Sequence, residues 1–140
     1  MTLKILFHRH TEWQGSIRCS TNIFADLAIK AGHDVTYMHG MVHAGNVLAK
    51  NGRYRFWKKG PRREAGANVF TPLSMVPYSR IAPFDGKFAA QASYKMCLPS
   101  IRSQLDRIDF VPDVIWSANP GSIALRDYYP DAKFLFQVVD

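Results

Sequence analysis

The residues able to do chemistry in this chain stand directly behind short apolar runs. His8-Arg9-His10 follow Leu3-Lys4-Ile5-Leu6-Phe7, and His39-Gly40 follow the run at 34–38. Ser117-Ala118-Asn119-Pro120-Gly121 follow Val114-Ile115-Trp116, and Asp140 follows residues 134–139. A carboxylate at the end of a buried strand can take a proton from a substrate hydroxyl or cap the element after it, and both roles are open for Asp140. Asn119, Gly121 and Ser122 belong to a helix start. Its backbone N–H groups can hold an anionic or hydroxyl-rich ligand, or form an ordinary cap and turn. His8 and His10 share a face if the chain is extended. No second group of ligands accompanies them, so no metal is expected. His39 and His43 are four apart across Gly40 and read as turn histidines rather than a helical ligand pair.

Several other chemistries lack their signatures. The loop after the first apolar run holds one glycine, Gly15, where a dinucleotide cradle needs GxGxxG. Neither GxxxxGK[ST] nor GxSxG occurs, so no P-loop and no hydrolase elbow is expected. Cys19 and Cys97 form no CxxC motif and no disulfide framework. They read as reduced thiols of a cytoplasmic protein, packed as small apolar side chains.

The net charge of +7 is concentrated in one place. Residues 50–63 carry seven basic side chains (Lys50, Arg53, Arg55, Lys58, Lys59, Arg62 and Arg63) and no acidic one. The remaining chain is balanced, with eleven of each sign. Tyr54, Phe56 and Trp57 are interleaved with the cations. Such a segment can grip nucleic-acid phosphates, rest on an anionic membrane surface, or stand as a solvated loop. No recognition helix or RNP-like motif accompanies it, which ranks a membrane surface above nucleic acid.

These groups need elements to hold them. With 47% apolar residues and 13% aromatic, 140 residues can pack one core. No apolar run reaches the roughly 20 residues that span a bilayer, and early charges leave no secretory h-region. Residues 3–7 read as a buried strand. Residues 21–31 read as a helix capped by Ser20 or Thr21, with Ile23, Phe24, Leu27, Ala28 and Ala31 on its apolar face and Gly32 ending it. Asp34–Met38 is the next strand, which makes residues 3–38 a parallel βαβ unit. Residues 39–66 show no period. A short strand is expected at 68–71, and prolines keep 72–83 extended. Residues 84–108 read as helix split at Pro99, with Phe88, Ala92 and Met96, then Ile101, Leu105 and Ile108, facing the core. A strand at 114–116, a short helix at 121–128 and a strand at 134–139 complete an α/β chain with a mainly parallel sheet. In such sheets ligands bind at the carboxyl ends of the strands.

On these residues the chain resembles a known family. The opening LKILFHRHTEW and the helix close through Gly32-His33-Asp34-Val35 resemble the first βαβ of GT-B glycosyltransferases. Residues 69–80, VFTPLSMVPYSR, resemble the strand and proline segment of bacterial sugar transferases. Residues 111–140 resemble the P-D-V-[IV]-x-x-x-x-P and A-K-L-V-Y-x-x-x-D strands of transferases acting on cell-surface polysaccharides, including the xanthan glucuronosyltransferase type. The resemblance implies a Rossmann-like three-layer αβα lobe. Residues 1–140 would be the amino-terminal, acceptor-binding domain, without the carboxyl-terminal domain that binds the donor, so the isolated chain would transfer nothing. Asp140 would be the general base. Arg9, His10 and Arg18, with Asn119, Gly121 and Ser122, would hold a sugar or lipid-linked saccharide acceptor. Arg53, Arg55, Phe56, Trp57, Lys58 and Lys59 would rest on the inner membrane. The donor would be a nucleotide-sugar, with no metal, no resident cofactor and no nucleic acid.

Two other classes are open. One is a nucleic-acid-binding module built on residues 50–63. The other is a non-catalytic α/β regulatory domain, which would need an acidic pocket where this chain has His8-Arg9-His10.

Overall fold

A computed structural model describes residues 1–45, 60–77, 82–83 and 85–138. Its centre is β1 (Lys4–His8), paired in parallel with β2 (Asp34–Met38) on one edge and β7 (Val114–Ser117) on the other. Outside these lie β5 (Ala67–Phe70), parallel to β2, and β8 (Lys133–Phe136), parallel to β7. β4 (Arg62–Glu64) closes the far edge antiparallel to β5, giving the order β4-β5-β2-β1-β7-β8. A separate pair of two-residue strands joins β3 (Val42–His43) to β6 (Leu73–Ser74). The fold is mixed α/β with a mostly parallel sheet.

Alternation along β1 sends its side chains to two cores. Ile5 and Phe7 enter a cluster with Ala25, Val35, Tyr37 and Val69, on the face covered by α1 (Ser20–Lys30). Leu6 enters the opposite cluster with Met38, Phe70, Ile115 and Leu125. That face is covered by α2 (Lys87–Lys95), α3 (Ile101–Asp106) and the 3₁₀ helix Pro120–Asp127. A strand covered on both faces is apolar over most of its length, and for this reason Ile5-Leu6-Phe7 of β1 reads as a continuous run. Among the described residues no helix is long and apolar enough to cross a membrane.

The βαβ unit forms as the pattern predicts. Gly32 adopts φ +88°, its N–H bonds Ile29 O at 3.0 Å, and His33 N–H bonds Ala28 O at 3.0 Å. This is the paired closure that favours glycine just past a helix. The start of α1 differs from expectation. Its N-cap is Cys19, whose N–H donates to Asn22 Oδ1 at 3.1 Å.

The buried face of α1 also differs. Thr21, Asn22 and Ala25 are buried, whereas Ile23, Phe24 and Leu27 are exposed. Asn22 Nδ2 donates to Glu12 O and Trp13 O, which rolls the polar start of the helix inward, and the small Ala25 lets it approach the sheet. Phe24 lies over Trp116 with ring centroids 4.9 Å apart, and Phe7 lies against the same indole at 5.4 Å.

The expected break at Pro99 separates α2 from α3, and Ile101 and Leu105 are buried as predicted. In α2 the buried residues are Ala89, Ala90, Ser93 and Tyr94, while Phe88 and the capping residue Met96 just past its end are exposed. The cause is the close approach of α2 to the 3₁₀ helix. A Cβ at Gly121 would lie 2.9 Å from both Ala90 O and Tyr94 Cε2. Small side chains and a glycine therefore meet at this contact. Residues 62–70 form a hairpin that the aperiodic reading of 39–66 missed. Ala65 (φ 48°) and Gly66 (φ 83°) make its two-residue turn. The last strand, expected to be buried, is a sheet edge on which Leu135 and Phe136 are exposed.

Gly121→Ala must push α2 outward and is expected to cost about 1–3 kcal/mol. Urea denaturation followed by circular dichroism measures it, and an unchanged midpoint would contradict the packing account.

Candidate functional site

The chain builds β1, β2 and β5 outward in one direction, then returns to build β7 and β8 on the other side of β1. The connections on the two sides diverge, and a crevice opens where the order reverses, beyond the carboxyl ends of β1 and β7. A cavity of about 390 Å³ lies there. That is the scale of a small-molecule site, roughly 300–1,000 Å³. Its walls come from three segments. The loop after β1 supplies His10, the inner side of α2 supplies Lys87, Gln91 and Tyr94, and the turn from β7 into the 3₁₀ helix supplies Asn119 and Gly121.

Under the cavity sits His8, the last residue of β1 and completely buried. Its Nδ1 is 2.9 Å from Met38 O, and its Nε2 is 2.7 Å from Tyr94 Oη and 3.0 Å from Asn119 Nδ2. Burial, with lesser repulsion from His10 and His39, lowers its pKa to about 4 against the pull of the Met38 carbonyl. His8 is therefore neutral near pH 7. Since a carbonyl only accepts, Nδ1 carries the proton and donates to Met38 O.

The loop after β7 is held by its own hydroxyls. Ser122 Oγ donates to Asn119 O at 2.6 Å and lies 2.7 Å from Ser117 Oγ, which accepts from Asn119 N–H at 3.1 Å. Of the residues singled out as acceptor-binding, His10, Asn119 and Gly121 come together at the cavity. Ser122 is buried inside the turn beneath it. Arg9 reaches α1, where Nη1 donates to Thr21 Oγ1 at 3.3 Å. Arg18 forms a surface ion pair with Asp26 at 2.9 Å. Asp140 and the proposed membrane residues Arg53, Arg55, Phe56, Trp57, Lys58 and Lys59 lie outside the described residues. Of the basic segment, Arg62 pairs with Glu64 at 3.1 Å and Arg63 Nη1 donates to Asn68 Oδ1.

Sequence reasoning passed over Lys87, Gln91 and Tyr94, although their i, i+4, i+7 spacing marks one helix stripe. The apolar residues Phe88, Ala92 and Met96 masked it. Trp13 was also missed. It is buried, its N–H donates to His39 Nε2 at 3.1 Å, and its indole N–H donates to Glu64 O at 2.9 Å. It pins the loop that carries His10. His39 is thereby a buried packing residue, also 3.0 Å from Thr71 Oγ1, rather than a turn histidine.

The two thiols have different surroundings. Burial alone pushes Cys97 up to about 12. Burial works the same way on the half-buried Cys19. There, hydrogen bonding to Thr11 and from the Asn22 and Thr21 backbone, with Arg9 nearby, brings the thiol below its ordinary value. Among the described residues, no three His, Cys, Asp or Glu side chains gather as a metal ion would require. No family model matches the chain, and no curated protein matches it.

The lowered pKa of His8 has a pH signature. The unfolded imidazole protonates near 6.5 and the folded one near 4, so the unfolded state binds more protons between them. The contribution is complete above pH 6.5 and is lost as pH falls towards 4, with a slope of at most about 1.4 kcal/mol per pH unit. Denaturation midpoints measured from pH 7.5 to 4 are expected to show this slope in the native chain and to lose it in His8→Gln.

Proposed function

We propose that this chain is the acceptor-binding lobe of a glycosyltransferase of the GT-B type, and that the cavity beyond β1 and β7 receives the acceptor saccharide. The observation that carries the reading is the cavity itself. It lies where the strand order reverses, and it gathers His10, Asn119 and Gly121 from distant parts of the chain. Helices cover both faces of the sheet, and the five parallel strands run in the order 3-2-1-4-5 expected of a Rossmann-like three-layer lobe.

The lining suits a sugar. Tyr94, Ala90 and Ile123 offer apolar surface to the C–H face of a pyranose ring, and Gln91 and Asn119 offer hydrogen bonds to its hydroxyls. Lys87 adds a cation and His10 an imidazole able to hydrogen-bond, both suited to a phosphate of a lipid-linked acceptor. In an enzyme of this type, the acceptor oxygen attacks the anomeric carbon of a nucleotide-sugar. The new C–O bond forms as the bond to the nucleotide diphosphate breaks, and Asp140 takes the hydroxyl proton. Such base assistance contributes about 100- to 10,000-fold. This reading assigns no resident metal or cofactor, and it puts the chain in cell-surface polysaccharide synthesis. Residues 50–63 would hold the lobe on the cytoplasmic face of the inner membrane.

Saturation-transfer NMR of the chain with a panel of di- and trisaccharides and with UDP-glucose tests the reading. A saccharide is expected to bind, Asn119→Ala and Gln91→Ala are each expected to weaken it roughly tenfold, and UDP-glucose is expected to leave the cavity unoccupied. Failure of every saccharide to bind, together with salt-sensitive DNA binding, would favour the nucleic-acid module instead.

The membrane assignment has its own measurement. Sedimentation with liposomes is expected to rise with anionic lipid content and fall with added salt. Co-sedimentation indifferent to both would remove it.

A further inference from the structure

His8 is one residue from the cavity and does not line it, yet it touches two residues that do. Its ring nitrogens face unlike partners. Nδ1–H donates to the Met38 carbonyl, so Nε2 is left with a bare lone pair. Of the groups against that lone pair, the Tyr94 hydroxyl can donate or accept and here donates, whereas the Asn119 amide nitrogen can only donate. The chemistry of the ring therefore decides which way the Asn119 amide is turned. Nδ2 faces His8, and Oδ1 points the other way. The rest of Asn119 is immobilised by its backbone. Its N–H bonds Ser117 Oγ, and its carbonyl takes Ser122 Oγ–H. Asn119 is 8% exposed and lines the cavity, and among the described residues its side-chain hydrogen bond is the one from Nδ2 to His8.

We propose that His8 is a positioning residue for the cavity: its Nε2 lone pair orients the Asn119 amide so that the floor presents a carbonyl oxygen and takes a ligand hydroxyl. This deepens the saccharide reading and rests on it. An anionic oxygen is repelled by the Asn119 oxygen and is directed to Lys87 and His10 on the walls. The site thus takes a hydroxylated ring with its neutral face inward and any phosphate outward. A cavity whose floor amide were turned the other way would invite the phosphate first.

The test begins without a ligand. Long-range nitrogen–proton correlation on the histidine-labelled chain at neutral pH is expected to find His8 protonated at Nδ1 and bare at Nε2. An Nε2–H ring overturns the proposal. The Asn119 side-chain amide signals are expected to persist in His8→Gln, where an amide oxygen replaces the lost acceptor, and to shift or broaden in His8→Phe. Where His8→Phe fails to fold, Asn119→Asp serves. A carboxylate against Nε2 draws a proton onto it, and unchanged His8 nitrogen shifts in that variant overturn the proposal.

The second arm uses the saccharide bound most tightly by the native chain. Its affinity is expected to fall roughly tenfold in folded His8→Phe and to stay within about threefold in His8→Gln. Equal affinity in both overturns the proposal. If the histidine and amide signals behave as stated while no saccharide binds, the positioning by His8 is supported and the saccharide reading fails.

Discussion

β1 is hydrogen-bonded along both edges and covered on both faces, so any polar group at its carboxyl end must be satisfied by protein atoms rather than by bulk water. His8 occupies that end. An unpaired buried imidazole would be costly, and a charged one more so. The surrounding chain supplies a carbonyl from β2, a hydroxyl from α2 and an amide from the loop after β7. Each comes from a different element, so satisfying one histidine ties together the pieces that enclose the cavity.

Gly121 is the steric counterpart of that electrostatic constraint. Tyr94 reaches His8 only because α2 lies close to the 3₁₀ helix, and α2 lies close only because no Cβ intervenes at Gly121. Ser117 and Ser122 then absorb the polar backbone of Asn119, which leaves its side chain to bridge His8 and the cavity. On the other face of the sheet, Trp13 and Asn22 do comparable work for the loop after β1. Asn22 holds the carbonyls of Glu12 and Trp13, and Trp13 bonds to His39 and Glu64. Stretches without secondary structure are therefore braced by buried polar groups, and they carry His10 and Asn119 to a common rim.

The strands were readable because parallel sheets bury both faces, and runs such as Ile5-Leu6-Phe7 and Val114-Ile115-Trp116 have no other economical place in a chain of this size. The helix at 20–30 and its glycine stop were readable for a similarly local reason: Gly32 is needed where the backbone turns left-handed. Helix faces were not. Apolar periodicity put Phe24 and Phe88 inward, yet both are exposed, because polar anchors such as Asn22 and small residues such as Ala90 set which side approaches the sheet. Part of the site was legible too. The rule that loops at the carboxyl ends of parallel strands converge was enough to bring His10 and Asn119 under suspicion, but not Lys87, Gln91 or Tyr94, which arrive on a helix from the other direction.

By itself the sequence determined the class of fold, the central βαβ unit and the breaks between helices, all of which follow from residues near one another in the chain. Only the tertiary structure decided that His8 is neutral, that Asn119 turns its amide nitrogen inward and that Tyr94 joins them, since those states arise from contacts between residues 30 to 111 positions apart. Desolvation and hydrogen-bond direction are properties of an assembled neighbourhood. No local pattern of residue types encodes them.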